Sequence, residues 1–136
     1  MRAEAPVAQS DVRFFGSDRD AGAIRMSTAN AERAGLADRI TFRQQSVSEA
    51  TPPDGPPGLV LVNPPYGERI GDPKTLVPLY KAFGETMRAR FSGWRVGLIT
   101  SEPTLARATG LPLNQTSAPV PHGGLRIALY QTPRLD

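Results

Sequence analysis

Val60-Leu-Val-Asn-Pro-Pro-Tyr-Gly-Glu-Arg-Ile70, VLVNPPYGERI, sets a short apolar run against an asparagine, two prolines, an aromatic and a glycine. The run starts at Leu59 and is apolar at every position up to Asn63. Such a run suits a strand buried on both faces, as in a parallel sheet. Neither proline has an N–H, and both hold φ near about −65°. The Asn63 side-chain oxygen and the Pro64 carbonyl therefore stand in a stiff loop as acceptors for an external donor. The competing reading is a plain turn that ends a strand, since Asn-Pro favours turn initiation.

The flanking sequence supplies the other elements. Upstream, VRFFG (Val12 to Gly16) reads as a strand ending at glycine. Ser17 and Asp18 follow where helix caps are found. Asp20 to Ala34 is alanine-rich and proline-free, with Ala21, Ile24, Thr28, Ala31 and Ala34 on one helical face and Gly35 as a stop. RITFRQ (Arg39 to Gln44) is a second strand, and SVSEATPPDGPPG a turn-rich connection. Downstream, Asp72-Pro73 opens a helix from Lys74 to Arg90, with Leu76, Leu79, Tyr80, Phe83 and Met87 as its apolar stripe. GWRVGLIT (Gly93 to Thr100) is another buried strand, EPTLARATG a short helix, and LRIALYQ (Leu125 to Gln131) a last strand. This order predicts an α/β layered domain with a mostly parallel sheet. In such sheets ligands bind outside the carboxyl ends of the strands. Gly16-Ser17-Asp18, Gln45-Ser46 and Asn63-Pro64-Pro65-Tyr66 all fall there.

Composition bounds the rest. The 136 residues suffice for about one domain, and 39% hydrophobic content for a modest core. Fourteen prolines and thirteen glycines imply many loops. The chain has no cysteine, which excludes disulfides, thiolate metal sites and a cysteine nucleophile, and fits the cytoplasm. Sixteen basic against thirteen acidic residues give a charge of +3, too small to decide for nucleic acid alone. Only Lys74 and Lys81 are lysines, and the arginine bias suits phosphate contacts. There is no run long enough for a membrane span, no apolar leader and no His, Asp or Glu cluster with metal spacing. Residues 1–10 read as a disordered lead-in to a domain over residues 11–136.

Two features carry chemistry. Asp18, after a strand and before a helix, can accept from two ribose hydroxyls, or can cap the helix, as can Asp20. The Asn-Pro-Pro-Tyr loop suits an exocyclic amine on a nucleobase. That nitrogen is a poor nucleophile because its lone pair is delocalised into the ring. Two acceptors on its two hydrogens favour a pyramidal nitrogen and aim the lone pair at an electrophilic methyl. Tyr66 can stack on the base, a contact worth about 1–3 kcal/mol. The base must be flipped out or already unpaired to enter.

NPPYGERIG, preceded by FFGSDRD, NAERAGL and ITF and followed by LY, FG and LITSEP, resembles the class I S-adenosylmethionine-dependent methyltransferases that modify exocyclic amines. The closest resemblance is to THUMP-associated RNA methyltransferases of the bacterial 23S ribosomal RNA guanine-N2 type. It spans about Val12 to Tyr130. It implies a Rossmann-like sheet, S-adenosyl-L-methionine as cofactor and ribosomal RNA as partner. It implies that Asp18 holds the cofactor ribose, that Gln45 and Ser46 stand where its adenine amine is read, and that Asn63, Pro64, Pro65 and Tyr66 form the catalytic loop. Asn63 would also lie against the cofactor. Arg69 would contact substrate phosphate or pair with Glu68.

The chain departs from that pattern in two places. Gln45-Ser46 replaces the usual acidic residue, leaving an uncharged acceptor. The first strand and its glycine-rich loop, which hold the methionine part of the cofactor, are absent from these residues. The expectation is an incomplete catalytic domain, with Met1 an internal methionine of a longer protein. Its strands at Val12 and Leu59 would then expose unpaired edges, open to homodimer formation. The alternatives are adenine N6 methylation of DNA, or a non-catalytic module that binds RNA or protein. His122 reads as a loop residue, Trp94 as core or sheet edge, and Arg88, Arg90 and Arg95 as a basic cluster near a helix end.

Overall fold

The computed structural model describes residues 12–66 and 73–136, in two compact units that divide after Val47. The expected lead-in at residues 1–10 lies outside the described residues, as do Asp72, Glu68 and Arg69.

The first unit is a β-α-β element. Strand β1 (Phe14–Asp18) runs parallel to β2 (Ile40–Gln44), and helix α1 (Ala21–Arg33) connects them. The strand lies two residues later than the sequence suggests, so Ser17 and Asp18 end it rather than start the helix. Asp20 is the cap: its carboxylate accepts from the Gly22 and Ala23 amides at 3.2 Å each. The helix stops in a Schellman motif. Leu36 N donates to Ala31 O and Gly35 N to Glu32 O, and Gly35 takes the left-handed φ of +75° this requires.

The second unit begins with β3 (Leu59–Val62), parallel to β4 (Arg95–Thr100). A 3₁₀ turn (Pro73–Leu76) leads into α2 (Val77–Arg90), and α3 (Pro103–Ala108) follows β4. Strand β7 (Leu125–Gln131) is antiparallel to β4 and carries two short strands, β5 (Asn114–Gln115) and β6 (Val120–His122). Among the described residues parallel pairing is thus confined to β1–β2 and β3–β4, and the C-terminal strands add an antiparallel edge. The sequence reading missed β5 and β6.

One face of this sheet holds the core. Leu98, Ala128 and Tyr130 pack against Leu76 and Tyr80 before and within α2 and against Leu105 and Ala106 of α3, with Val62 beside them. Fully burying a side chain such as Leu98 or Leu105 contributes about 1.5–3 kcal/mol. The expected helix stripe therefore forms, with Leu79 only half-buried. Arg88 and Arg90 are structural: Arg88 donates to the Gly110 carbonyl, and Arg90 Nη1 donates to Ser48 O at 3.0 Å and Ala50 O at 3.1 Å. Trp94 meets Phe91 edge-on at 5.5 Å.

The expectation that β3 is buried on both faces is corrected. Leu59 is 55% exposed and Leu61 63%, while Val60 and Val62 on the helix side are half-buried. Both described helices of this unit that follow β3 pack on the Val62 side, so nothing described covers the other. In the first unit, Phe14 and Phe15 of β1 are exposed too. Among the described residues β1 pairs only with β2, and β3 only with β4.

Helix α2 comes so near the end of α3 that a Cβ on Gly84 would stand 1.8 Å from the Thr109 carbonyl oxygen. The two backbones must separate to admit it, so Gly84→Ala is expected to cost about 1–3 kcal/mol or more. Urea denaturation reads this as a lower midpoint, and an unchanged midpoint would refute the close approach.

Candidate functional site

The two parallel strand pairs each present their C-terminal ends with a cluster of polar groups. In the first unit the structure brings Asp18 and Gln45 together. Gln45 N donates to the Asp18 carbonyl at 3.0 Å, and Gln45 Nε2 donates to Ser17 Oγ at 2.8 Å. Gln44 Nε2 reaches the Arg19 carbonyl at 3.2 Å. Asp18 Oδ1 accepts from the Asp20 amide at 2.9 Å, and Oδ2 has no partner among the described residues. Because Asp20 caps the helix, the capping role does not consume Asp18. Ser46 follows at the same strand end, half-buried. Ser17, read from sequence as a cap candidate and strand-end residue, instead orients the Gln45 amide with its hydroxyl.

The cluster offers hydrogen-bond acceptors at the strand ends. The exposed Asp18 carboxylate has acceptor capacity for ribose hydroxyls, and with Nε2 engaged, the Gln45 Oε1 is an acceptor for an amino group.

In the second unit, Asn63, Pro64, Pro65 and Tyr66 leave the end of β3 and line a cavity of about 330 Å³ with His122, Gly123 and Leu125. This is at the small end of ligand sites, which run from roughly 300 to 1,000 Å³. Beneath the loop lies a residue the sequence reading took only as part of an apolar stripe. Tyr80, 1% exposed on α2, donates its hydroxyl hydrogen to the Pro65 carbonyl at 2.8 Å. Its oxygen lies 3.3 Å from Thr100 Oγ1 at the end of β4. Each hydroxyl has one hydrogen, so Thr100 donates to Tyr80 and in turn accepts from the Glu102 amide at 3.2 Å. A directed chain therefore runs from the start of α3 through β4 and α2 to the loop. It occupies the carbonyl of Pro65 and leaves that of Pro64, like the Asn63 side chain, without a partner among the described residues.

Burial raises the Tyr80 hydroxyl above its ordinary pKa of 10.0; the Thr100 hydrogen bond opposes this, and Tyr66 and Glu102 add to the rise. The hydroxyl thus remains a donor across the neutral range.

Parallel strand pairs with helices between and after them are the elements of the Rossmann-like fold of class I methyltransferases. The chain belongs to UPF0020, the RMKL-like methyltransferase domain, whose family profile matches residues 1–125. It is 45% identical over 101 residues to the ribosomal RNA large subunit methyltransferase K/L of Chromohalobacter salexigens, covering 73% of this chain and 14% of that protein. A possible methylase from Clostridium difficile 630 superposes with a TM-score of 0.78 at 28% identity, over 93% of this chain and 33% of the other. The SAH complex of SMU.472 superposes at 0.75 with 26% identity, over 90% and 32%. The chain thus spans about one seventh of the curated relative's length.

Tyr80→Phe removes the bond to Pro65 and is expected to cost about 1 kcal/mol. Amide exchange at Asn63 and Tyr66 should quicken while β4 stays protected. The raised Tyr80 value also means that its contribution is full below about pH 10 and is lost as pH rises through the folded value. Denaturation between pH 9 and 11 should therefore show a steeper alkaline loss for the parent chain than for the variant; identical profiles and exchange rates would refute the anchor.

Proposed function

We propose that this chain is part of the catalytic domain of an S-adenosylmethionine-dependent RNA methyltransferase acting on the exocyclic N2 amine of a guanine in large-subunit ribosomal RNA, in the cytoplasm. The observation that carries the reading is the pair Asn63 Oδ1 and Pro64 O, without partners among the described residues, on a loop whose next carbonyl is pinned by Tyr80. The ribosomal RNA methyltransferase relative and the SAH-bound neighbour support the substrate and cofactor classes.

S-adenosylmethionine, when bound, supplies an electrophilic methyl group. Asp18 would accept from its ribose hydroxyls, and Gln45 and Ser46 would read its adenine amine. Asn63 Oδ1 and Pro64 O each take one hydrogen of the target amine, holding its nitrogen pyramidal with the lone pair free for attack. Tyr66 stacks on the base, and Arg69 meets substrate phosphate. The bound cofactor would supply its methyl group to that lone pair, and the amine's extra proton would leave to water, so no strong base would be needed.

Strands β1 and β3, exposed and each paired on one side only among the described residues, support the further reading that residues outside these 136 complete the sheet and hold the methionine part of the cofactor. Alone, the chain is then inactive, and the same edges are where two copies pair. Calorimetry of the isolated chain should show no micromolar affinity for S-adenosylmethionine, and light scattering should show self-association. Micromolar binding by a monomer would refute both points.

In the longer protein, Asn63→Ala should lower methyl transfer to RNA at least tenfold, about 1.4 kcal/mol of transition-state stabilisation. Unchanged turnover would remove Asn63 from the mechanism. Transfer of label to DNA alone would favour the adenine N6 reading, and absence of cofactor binding by the longer protein would favour the non-catalytic module.

A further inference from the structure

The cavity beside the Asn-Pro-Pro-Tyr loop is also lined by a hairpin that the chemistry above does not use. Strands β6 and β7 pair with His122 opposite Leu125, and only Gly123 and Gly124 lie between them. Both glycines have positive φ, +57° and +84°, which is the requirement of a two-residue type I′ turn. His122 is therefore the last residue of a registered strand and not part of a loose loop. The turn brings His122, Gly123 and Leu125 to the same cavity as Asn63, Pro64, Pro65 and Tyr66.

The polar work in that cavity is assigned to Asn63 and Pro64, which take the two hydrogens of the amine. A flipped-out base also loses its stacking neighbours on both faces, and unpaired bases recover this on Tyr, Phe, Trp or His rings. Tyr66 and His122 are the two aromatic rings among the cavity's lining residues, one from each wall segment. The His122 side chain is exposed and makes no hydrogen bond among the described residues, so no structural duty competes for it. We propose that His122 is a substrate-binding residue that stacks its imidazole on the unpaired nucleotide carrying the target amine.

The proposal rests on the nucleotide reading of the cavity, and one titration separates the two. A short single-stranded RNA with one 2-aminopurine, whose fluorescence falls on stacking, is titrated with the longer protein and its variants. His122→Ala should weaken binding about tenfold, and His122→Phe should recover affinity to within about threefold of the parent. His122→Gln, which keeps hydrogen bonding but not the ring, should behave as the alanine variant. Thermal melting should be unchanged in all three. If Asn63→Ala weakens binding but His122→Ala does not, the His122 contact is refuted and the nucleotide site stands. If His122→Gln recovers affinity and His122→Phe does not, stacking is refuted. If the longer protein without substitution leaves the probe's fluorescence unchanged at millimolar concentration, the nucleotide reading of the cavity falls, and the His122 proposal with it.

Discussion

The hydrogen bond from Tyr80 to the Pro65 carbonyl is the constraint on which the second unit's site depends. Prolines stiffen a loop but cannot place it, because they fix φ and supply no donor. Placement here comes from a hydroxyl inside the core, itself held by Thr100. The apolar contacts of Tyr80 set the ring within the core cluster, so the loop inherits its position from helix packing. Engaging Pro65 also leaves the neighbouring Pro64 carbonyl for an external donor.

The first unit solves a different problem with similar means. A carboxylate at the start of a helix is readily consumed by the helix amides. Asp20 takes that role, so Asp18 remains at the end of β1 with an oxygen to spare. The Gln45 backbone then ties the two strand ends, and Ser17 holds its amide. An uncharged amide in place of a carboxylate still offers an acceptor oxygen.

Much of this was legible in the sequence. The apolar run ending at Asn63, the proline pair and the stripe of α2 each carry a local signal with one physical cause. The misreadings have causes as well. Val12 extends the apolar pattern of β1 across Arg13 without joining its ladder, which shifts the apparent strand and leaves Asp18 and Asp20 indistinguishable as caps. Tyr80 falls at helical spacing among Leu76, Phe83 and Met87, and period alone reports the ring and hides the hydroxyl. Strand β6 is three residues long and contains Pro121, so its existence depends on pairing with β7. The Gly123-Gly124 pair was the available signal for that hairpin. Burial of β3 on both faces follows from its composition only where something covers both faces, and Leu59 and Leu61 are exposed.

The family and the fold are those of S-adenosylmethionine-dependent methyltransferases, and the acceptor pair supports the proposed transfer to an exocyclic amine. The most direct test is to incubate the longer protein with large-subunit ribosomal RNA and methyl-labelled S-adenosylmethionine, digest the RNA and identify the labelled nucleoside by mass spectrometry. The account predicts label on N2-methylguanosine. Label on a ring nitrogen, a carbon or a ribose oxygen would contradict it, because two hydrogen-bond acceptors have no role in delivering a methyl group to those atoms.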